Sequence, residues 1–277
     1  VPNGNGLFGS YQFHEELVQA DEIVSVAKMK NHNFMGVTGC LKNLFGLMPA
    51  EPFARPRPYY HHLVRMPYML SDIGRILDPA LNIVDGLVGQ AGREWSKDSS
   101  GGRVVGALIA GDHTVATDSC MAYLMGHDPD ADWLTDPFIR DRNSLKVCRE
   151  VGFGTNLMER IDHKLDVAPQ EKGVFFCDAA DPRRMIIDWR RSMAEQALLY
   201  RDNRKKYHAF NGEYVLLQKG EVVWHSPEGT IDVSRRVLAG ALKNESLYFK
   251  YVDPEERERE RFYVYERALE HIKEQNL

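Results

Sequence analysis

Residues 22–47 read EIVSVAKMKNHNFMGVTGCLKNLFGL. An apolar run from Glu22 to Val26 passes into a polar, lysine-bearing loop, and from about Gly39 a helical pattern runs to Leu47 and stops before Pro49. Strand, glycine-containing turn and helix in that order make one α/β unit. Working outward, the rhythm is met three times in the first 126 residues. A helical pattern at Leu63, Met66, Leu70, Ile73 and Leu77, with Pro67 as an expected kink, leads into the strand-like LNIVDG. RVVGALIAGDH then reads as a strand buried on both faces that feeds the helix SCMAYLMG. The fold class expected is α/β, a mostly parallel sheet with flanking helices.

After Gly126 the character changes. HDPDADWLTDPFIRDRN is an acidic, aromatic loop. DPRRMIIDWRRSMAEQALLYRDNRKK predicts a long helix capped by Asp181 with Pro182 at its first position, and GEYVLLQKGEVVWH predicts a β-hairpin through Lys219 and Gly220. DPEERERERFYVYERALEHIKE predicts a closing helix capped by Asp253. The division expected is a core of residues 1–143 and a C-terminal α+β extension of residues 144–277. Between the first two core units, the proline-rich EPFARPRPYYHH predicts an extended loop or flap over the site, with His61 and His62 at its end.

The 277 residues suffice for a sizeable core, and 43% apolar with 27% charged residues is the composition of an ordinary globular protein. No apolar stretch approaches the roughly 20 residues of a membrane span. A formal net charge of −5 disfavours binding to nucleic acid or an anionic membrane. Cys40, Cys120, Cys148 and Cys177 are widely spaced with no C-x-x-C pair, which reads as reduced thiols in a cytoplasmic protein and disfavours an intrinsic iron–sulfur cluster. The opening VPNGNGLFG is turn-rich and begins with Val1, so an N-terminal segment is expected to precede it.

Polar groups at the carboxyl ends of parallel strands line the crevice in which open α/β sheets bind ligands. Lys28, Lys30 and His32 are expected at such an end. Thr38 and Gly39 then open a helix whose first N–H groups attract negative charge, with Lys42 one turn on. Together they predict a site for a small anion, phosphate or carboxylate. Asp85 and Asp112 close the other two strands, and Asp118 follows where an N-cap is expected. These carboxylates could move protons with His32, and Asp112 and Asp118 could hold a divalent cation. The motif GVTGCLKN is not a P-loop, DGLVGQAG is not a dinucleotide fingerprint, and DPDADW lacks the glycine and glutamate of a calcium loop. The arginines at 183, 184, 190 and 191 and the RERER run at 257–261 read as solvated, salt-bridged faces.

K-x-K-x-H at 28–32, T-G-x-x-K-N-x-x-G from Thr38 to Gly46, Asp85–Gly86 and G-D-x-x-x-x-x-D from Gly111 to Asp118, followed by Leu124 to Gly126, together resemble the family called domain of unknown function 362, over roughly residues 18–130. The resemblance adds Asn43 to the expected ligand-binding residues and implies an N-terminal α/β segment and redox company, since many relatives carry a ferredoxin-like segment. This chain lacks that cysteine cluster, and it has Glu94, Trp95 and Cys40 where relatives differ. Three readings follow: an enzyme acting on a small anionic metabolite, a binding module serving a redox protein partner, and an interaction protein whose C-terminal part forms a homodimer or docks a partner.

Overall fold

The computed structural model describes residues 1–3, 6–49, 55–92, 101–178, 181–231 and 245–277. Its elements are α1 (Glu15–Gln19), β1 (Val24–His32), β2 (Gly36–Thr38), α2 (Cys40–Asn43), α3 (Arg57–Tyr60), α4 (Arg65–Leu77), β3 (Leu81–Ala91), β4 (Gly101–Gly111), α5 (Thr114–Leu124), α6 (Ser144–Glu150), α7 (Arg183–Asp202), β5 (Tyr214–Gln218), β6 (Glu221–Ser226), β7 (Tyr248–Tyr251) and α8 (Tyr263–Glu274). Two compact units share them. Unit 1 comprises Val1–Gln12, Pro49–Met69 and Asp181–Leu277, and unit 2 comprises Phe13–Met48 and Leu70–Ala180. The sequence reading divides the chain once, at 143/144; these units interleave.

Unit 2 is the α/β part, with strand order β2-β1-β3-β4. The sheet is mixed where a mostly parallel one was expected: β1 and β3 are parallel, while β2 and β4 each run antiparallel to their neighbour. The helical connection between β1 and β3 is long enough for a parallel crossover, and β4 instead turns back along β3. Nor is β4 buried on both faces, since its side chains alternate and Val104 and Leu108 face solvent. The inner face packs Met29, Val84, Met121, Phe138 and Phe175. The glycines of DGLVGQAG belong to this packing: a Cβ on Gly86 would lie 2.9 Å from the Met29 methyl, and one on Gly89 2.8 Å from the Phe175 ring. Pro67 does not kink α4, because it falls in the first turn, where the missing N–H had no helical partner.

Unit 1 holds the antiparallel sheet β6-β5-β7. Its hairpin turns through Lys219 and Gly220 as expected, both at positive φ, the signature of the tight turn that matches strand twist. The proline-rich stretch is not wholly extended: Pro56 precedes the helical turn α3, and Tyr59 and Tyr60 are buried in unit 1; residues 51–54 lie outside the described residues. Helix α7 begins at Arg183, with Pro182 rather than Asp181 at its cap, and Arg190 is buried rather than solvated.

The largest correction concerns 253–262. Helix α8 starts only at Tyr263; Asp253 accepts from the N–H groups of Glu255 and Arg257 and closes a turn instead. The RERER run is no solvated face. Glu258 and Glu260 point into unit 1 against Lys250, 3.0 Å from each, and Glu260 also bonds Arg65 at 2.9 Å. Buried cations on β7 and α4 draw these acids inward, which charge patterning along one segment does not reveal. Among the described residues no helix is long and apolar enough to cross a membrane.

Candidate functional site

Alternation along β1 sends Met29 and Asn31 into unit 2 and leaves Lys28 outside. Lys28 Nζ lies 2.8 Å from Asp85 Oδ2 on the adjacent, in-register position of β3. That hydrogen bond, with one from the Leu87 N–H, holds the Asp85 carboxyl below its ordinary range. His32 is buried, and its Nδ1 accepts from the N–H groups of Phe34 and Met35, closing the turn into β2. Thr38 is buried in β2, and Gly39 stands at the helix cap. The Lys42 ammonium lies 4.7 Å over the Phe45 ring, and Asn43 donates to the Val26 carbonyl.

The anion expected at the start of α2 is supplied by the chain itself. Asp118, which lies within α5 rather than at its cap, accepts from the Cys40 N–H at 2.7 Å and the Leu41 N–H at 2.8 Å. His113 caps α5. Gly39 is required because a Cβ there would lie 2.2 Å from Asp118 Oδ1. Burial raises the Asp118 carboxyl to about 7 against the two N–H bonds, and burial followed by the nearby Asp118 charge pushes the Cys40 thiol to about 12. Both oxygens of Asp118 are thus engaged, and among the described residues no group of three or more His, Cys, Asp or Glu is placed to hold a metal ion.

The expected residues do not all meet. Because β4 is antiparallel, Gly111 pairs with Asn82, which pairs with Ser25, so Asp112 lies at the end where β1 begins. His32 is about 23 Å away along the sheet. Asp112 borders a crevice of about 530 Å³ between β4 residues 106–111, the α5 residues Thr117 and Cys120, and the segment 161–167. His163, Lys164 and Asp166 line its far wall, with Lys164 3.4 Å from Asp166. Asp85 is paired and Asp118 caps a helix; Asp112 is exposed and makes no hydrogen bond or ion pair to another described residue. Sequence reading singled out Asp112 but missed the 161–167 wall, which carries no spacing signal.

A second polar cluster, also missed, sits where β1 ends. The Asn31 amide nitrogen is 3.1 Å from His127 Nε2, and His127 Nδ1 is 3.8 Å from Asp136 Oδ2, which shares its carboxylate with the Cys177 N–H through Oδ1. Burial lowers His127 to about 4, so its imidazole is neutral near pH 7. About a hundred residues separate Asn31 from His127, so only folding joins them.

The Thr-Gly turn seated on a distant aspartate, together with the lysine-bearing strand before it, is the structural form of the motif read from the sequence. The profile described as "Domain of unknown function (DUF362)" matches residues 1–123. The DUF362 match thus takes in β1 to β4 and nearly all of α5, including Asp112 and Asp118. A thylakoid-associated protein of Synechocystis sp. is 27% identical over 127 residues, a stretch covering 44% of this chain and 38% of the relative. The chain thus spans about two fifths of the curated relative it matches. No solved structure matches it.

Proposed function

We propose that this chain is a ligand-binding protein whose crevice beside β4 takes a small polar molecule that offers a positive charge or hydrogen-bond donor to Asp112. The carrying observation is Asp112, an acid without a partner among the described residues, at the rim of a 530 Å³ crevice. A cavity of that size lies within the usual range of a small-molecule site, and this one is lined by charged and polar side chains, Asp112, His163, Lys164 and Asp166 among them. A small anion is served less well by the lysine loop: Asp118 fills the donors of α2, Lys28 is held by Asp85, and Lys42 lies over Phe45.

Thermal unfolding and native mass spectrometry with a panel of amines, divalent cations, phosphates and carboxylates test this. A cationic compound should stabilise the wild type, by about 2.7 kcal/mol at a hundredfold excess over its dissociation constant. The stabilisation should vanish in Asp112→Asn and persist in Lys42→Ala. Stabilisation by phosphate that depends on Lys42 would return the anion reading, and chemical change of the bound molecule would make the protein an enzyme.

The relative's association with thylakoids favours a second reading, docking to a membrane-associated redox protein, in keeping with the redox company of the family. A cytoplasmic location belongs to the first reading, the small-molecule site. Cell fractionation that finds the protein only with membranes would overturn that location and favour the docking reading.

A further inference from the structure

The crevice beside β4 runs along the edge of a sheet. β4 ends the strand order, so one of its edges pairs with β3 and the other has no strand beside it among the described residues. Consecutive residues from Gly106 to Gly111 all line the crevice; because alternate side chains leave opposite faces, the space they share lies along that outer edge. From Ala107 to Gly111 the pairing with β3 is regular, and in such a ladder every second residue turns its N–H and C=O away from its partner strand. No described residue bonds these outward groups, and the opposite wall, residues 162–167, makes no backbone hydrogen bond to another described residue. Natural edges are blunted by charge, proline or a bulge. ALIAG at 107–111 has no charge and no proline, and the bulge stops before it, at Gly106 with a φ of 72°.

We propose that this edge takes up an extended, basic segment of another protein as an added strand; the proposal rests on the crevice being the ligand site and names the cation offered to Asp112 as a lysine or arginine of that segment. Unpaired strand amides and carbonyls are satisfied by extended backbone, which sets the conformation of the occupant. Charge sets its sign. Asp112 and Asp162 are both exposed on the crevice and neither makes a hydrogen bond or ion pair to a described residue, whereas Asp166 already has Lys164 at 3.4 Å. A second copy of this chain would bring the same two acids to the slot, and its own β4 stretch offers no cation to them. The walls set the pattern of the segment. Ala107 and Ile109 are buried on the side where Ala116, Cys120 and Leu124 of α5 floor the crevice, and Leu108, Ala110 and Asp112 follow the exposed alternation. An added strand therefore lays apolar side chains on α5 and turns its basic ones outward toward the acids.

Calorimetric titration of the full chain with the peptide acetyl-Val-Lys-Val-Lys-Val-amide tests this. The peptide should bind more tightly than a simple amine. Methylating its backbone nitrogens keeps every side chain and charge but removes the strand's donors, and should weaken binding at least about tenfold. Asp112→Asn and Asp162→Asn should each weaken it about fivefold. Hydrogen exchange supplies the structural readout: the outward amides among residues 107–111 should exchange rapidly in the chain alone and at least about tenfold more slowly with the peptide bound. Equal affinity for the methylated peptide, or β4 amides indifferent to binding, would overturn the added strand. Simple amines that bind through Asp112 as tightly as the peptide would overturn it too and leave the crevice reading standing, while no binding of peptide or amine would remove both. Outward amides already slow in the chain alone would show an edge covered by the protein itself and would also overturn the proposal.

Discussion

In unit 1 the buried cations Arg65 and Lys250 lie against the acids Glu258 and Glu260, whereas in unit 2, among the described residues, the buried acid Asp118 meets backbone N–H groups and the buried imidazole of His127 meets an amide. The two acids Glu260 and Asp118 are both inaccessible to solvent, yet they respond in opposite directions. Glu260 also receives the hydroxyls of Tyr248 and Tyr265, at 2.9 and 2.7 Å. Burial alone would raise it, but Arg65 and Lys250 with those donors bring it down to about 2. Asp118 has no cation beside it among the described residues and is raised to about 7. The lesson is that burial does not set an acid's charge; the sign of what surrounds it does.

The comparison breaks first at Glu260. Glu260→Gln leaves Arg65 and Lys250 short of one charge in a dry interior, and the expected loss is about 3–5 kcal/mol. Hydrogen exchange should show the opening in β5, β7 and α8, and an unfolding free energy within error of wild type would refute the network's weight. Next comes Asp118→Ala, which strands two buried N–H groups at about 1–3 kcal/mol each. Gly39→Ala should cost roughly 1–3 kcal/mol by driving the same carboxylate aside. Exchange at Cys40 and Leu41 reports both, and unchanged protection there would show that Asp118 is not their cap.

Acidity sharpens the contrast. A carboxyl lowered on folding adds stability above its unfolded value that is lost as pH falls through its folded one, so unit 1 should loosen from about 4.5 down to about 2 through Glu260. Asp118, raised from 3.8 to about 7, works the other way and costs stability as pH rises through that window. His127, lowered from 6.5 to about 4, costs stability as pH falls through nearly the same range, so the two offset each other in wild-type unit 2. Asp118→Asn removes one side of that balance, and its stability relative to wild type should improve as pH rises from 4 to 7. A relative stability that stays flat would mean Asp118 is charged throughout. The smallest effect is expected at Lys28→Ala, where an exposed pair with Asp85 should leave the unfolding midpoint unmoved.

Much of the fold was legible because it rests on local signals. The hairpin at Lys219 and Gly220 and the end of the helical stretch at Leu47, before Pro49, follow from neighbours in the chain; the strand read over 22–26 instead runs on to His32, so the lysine-bearing stretch read as a loop is part of β1. Misreadings arose where an equally local pattern met a distant partner. RERER has the look of a solvated helix, yet Lys250 and Arg65 take two of its acids inside. RVVGALIAG has the apolar run of a central parallel strand, yet it forms an antiparallel edge with one face open. Of the expected site, the Thr-Gly turn and Asp118 do meet, as a cap that holds its own anion; Asp112 stands apart because antiparallel pairing carries it to the other end of the sheet.

The sequence by itself determined the α/β class, the family motif and the short-range turns, because backbone preference and side-chain periodicity act over a few residues. Only the tertiary structure decided which carboxylate is charged, which helix end is already filled and which acid is left facing a crevice. Those depend on groups eighty to two hundred residues apart being brought within about 3 Å, where desolvation and hydrogen bonding fix their chemistry.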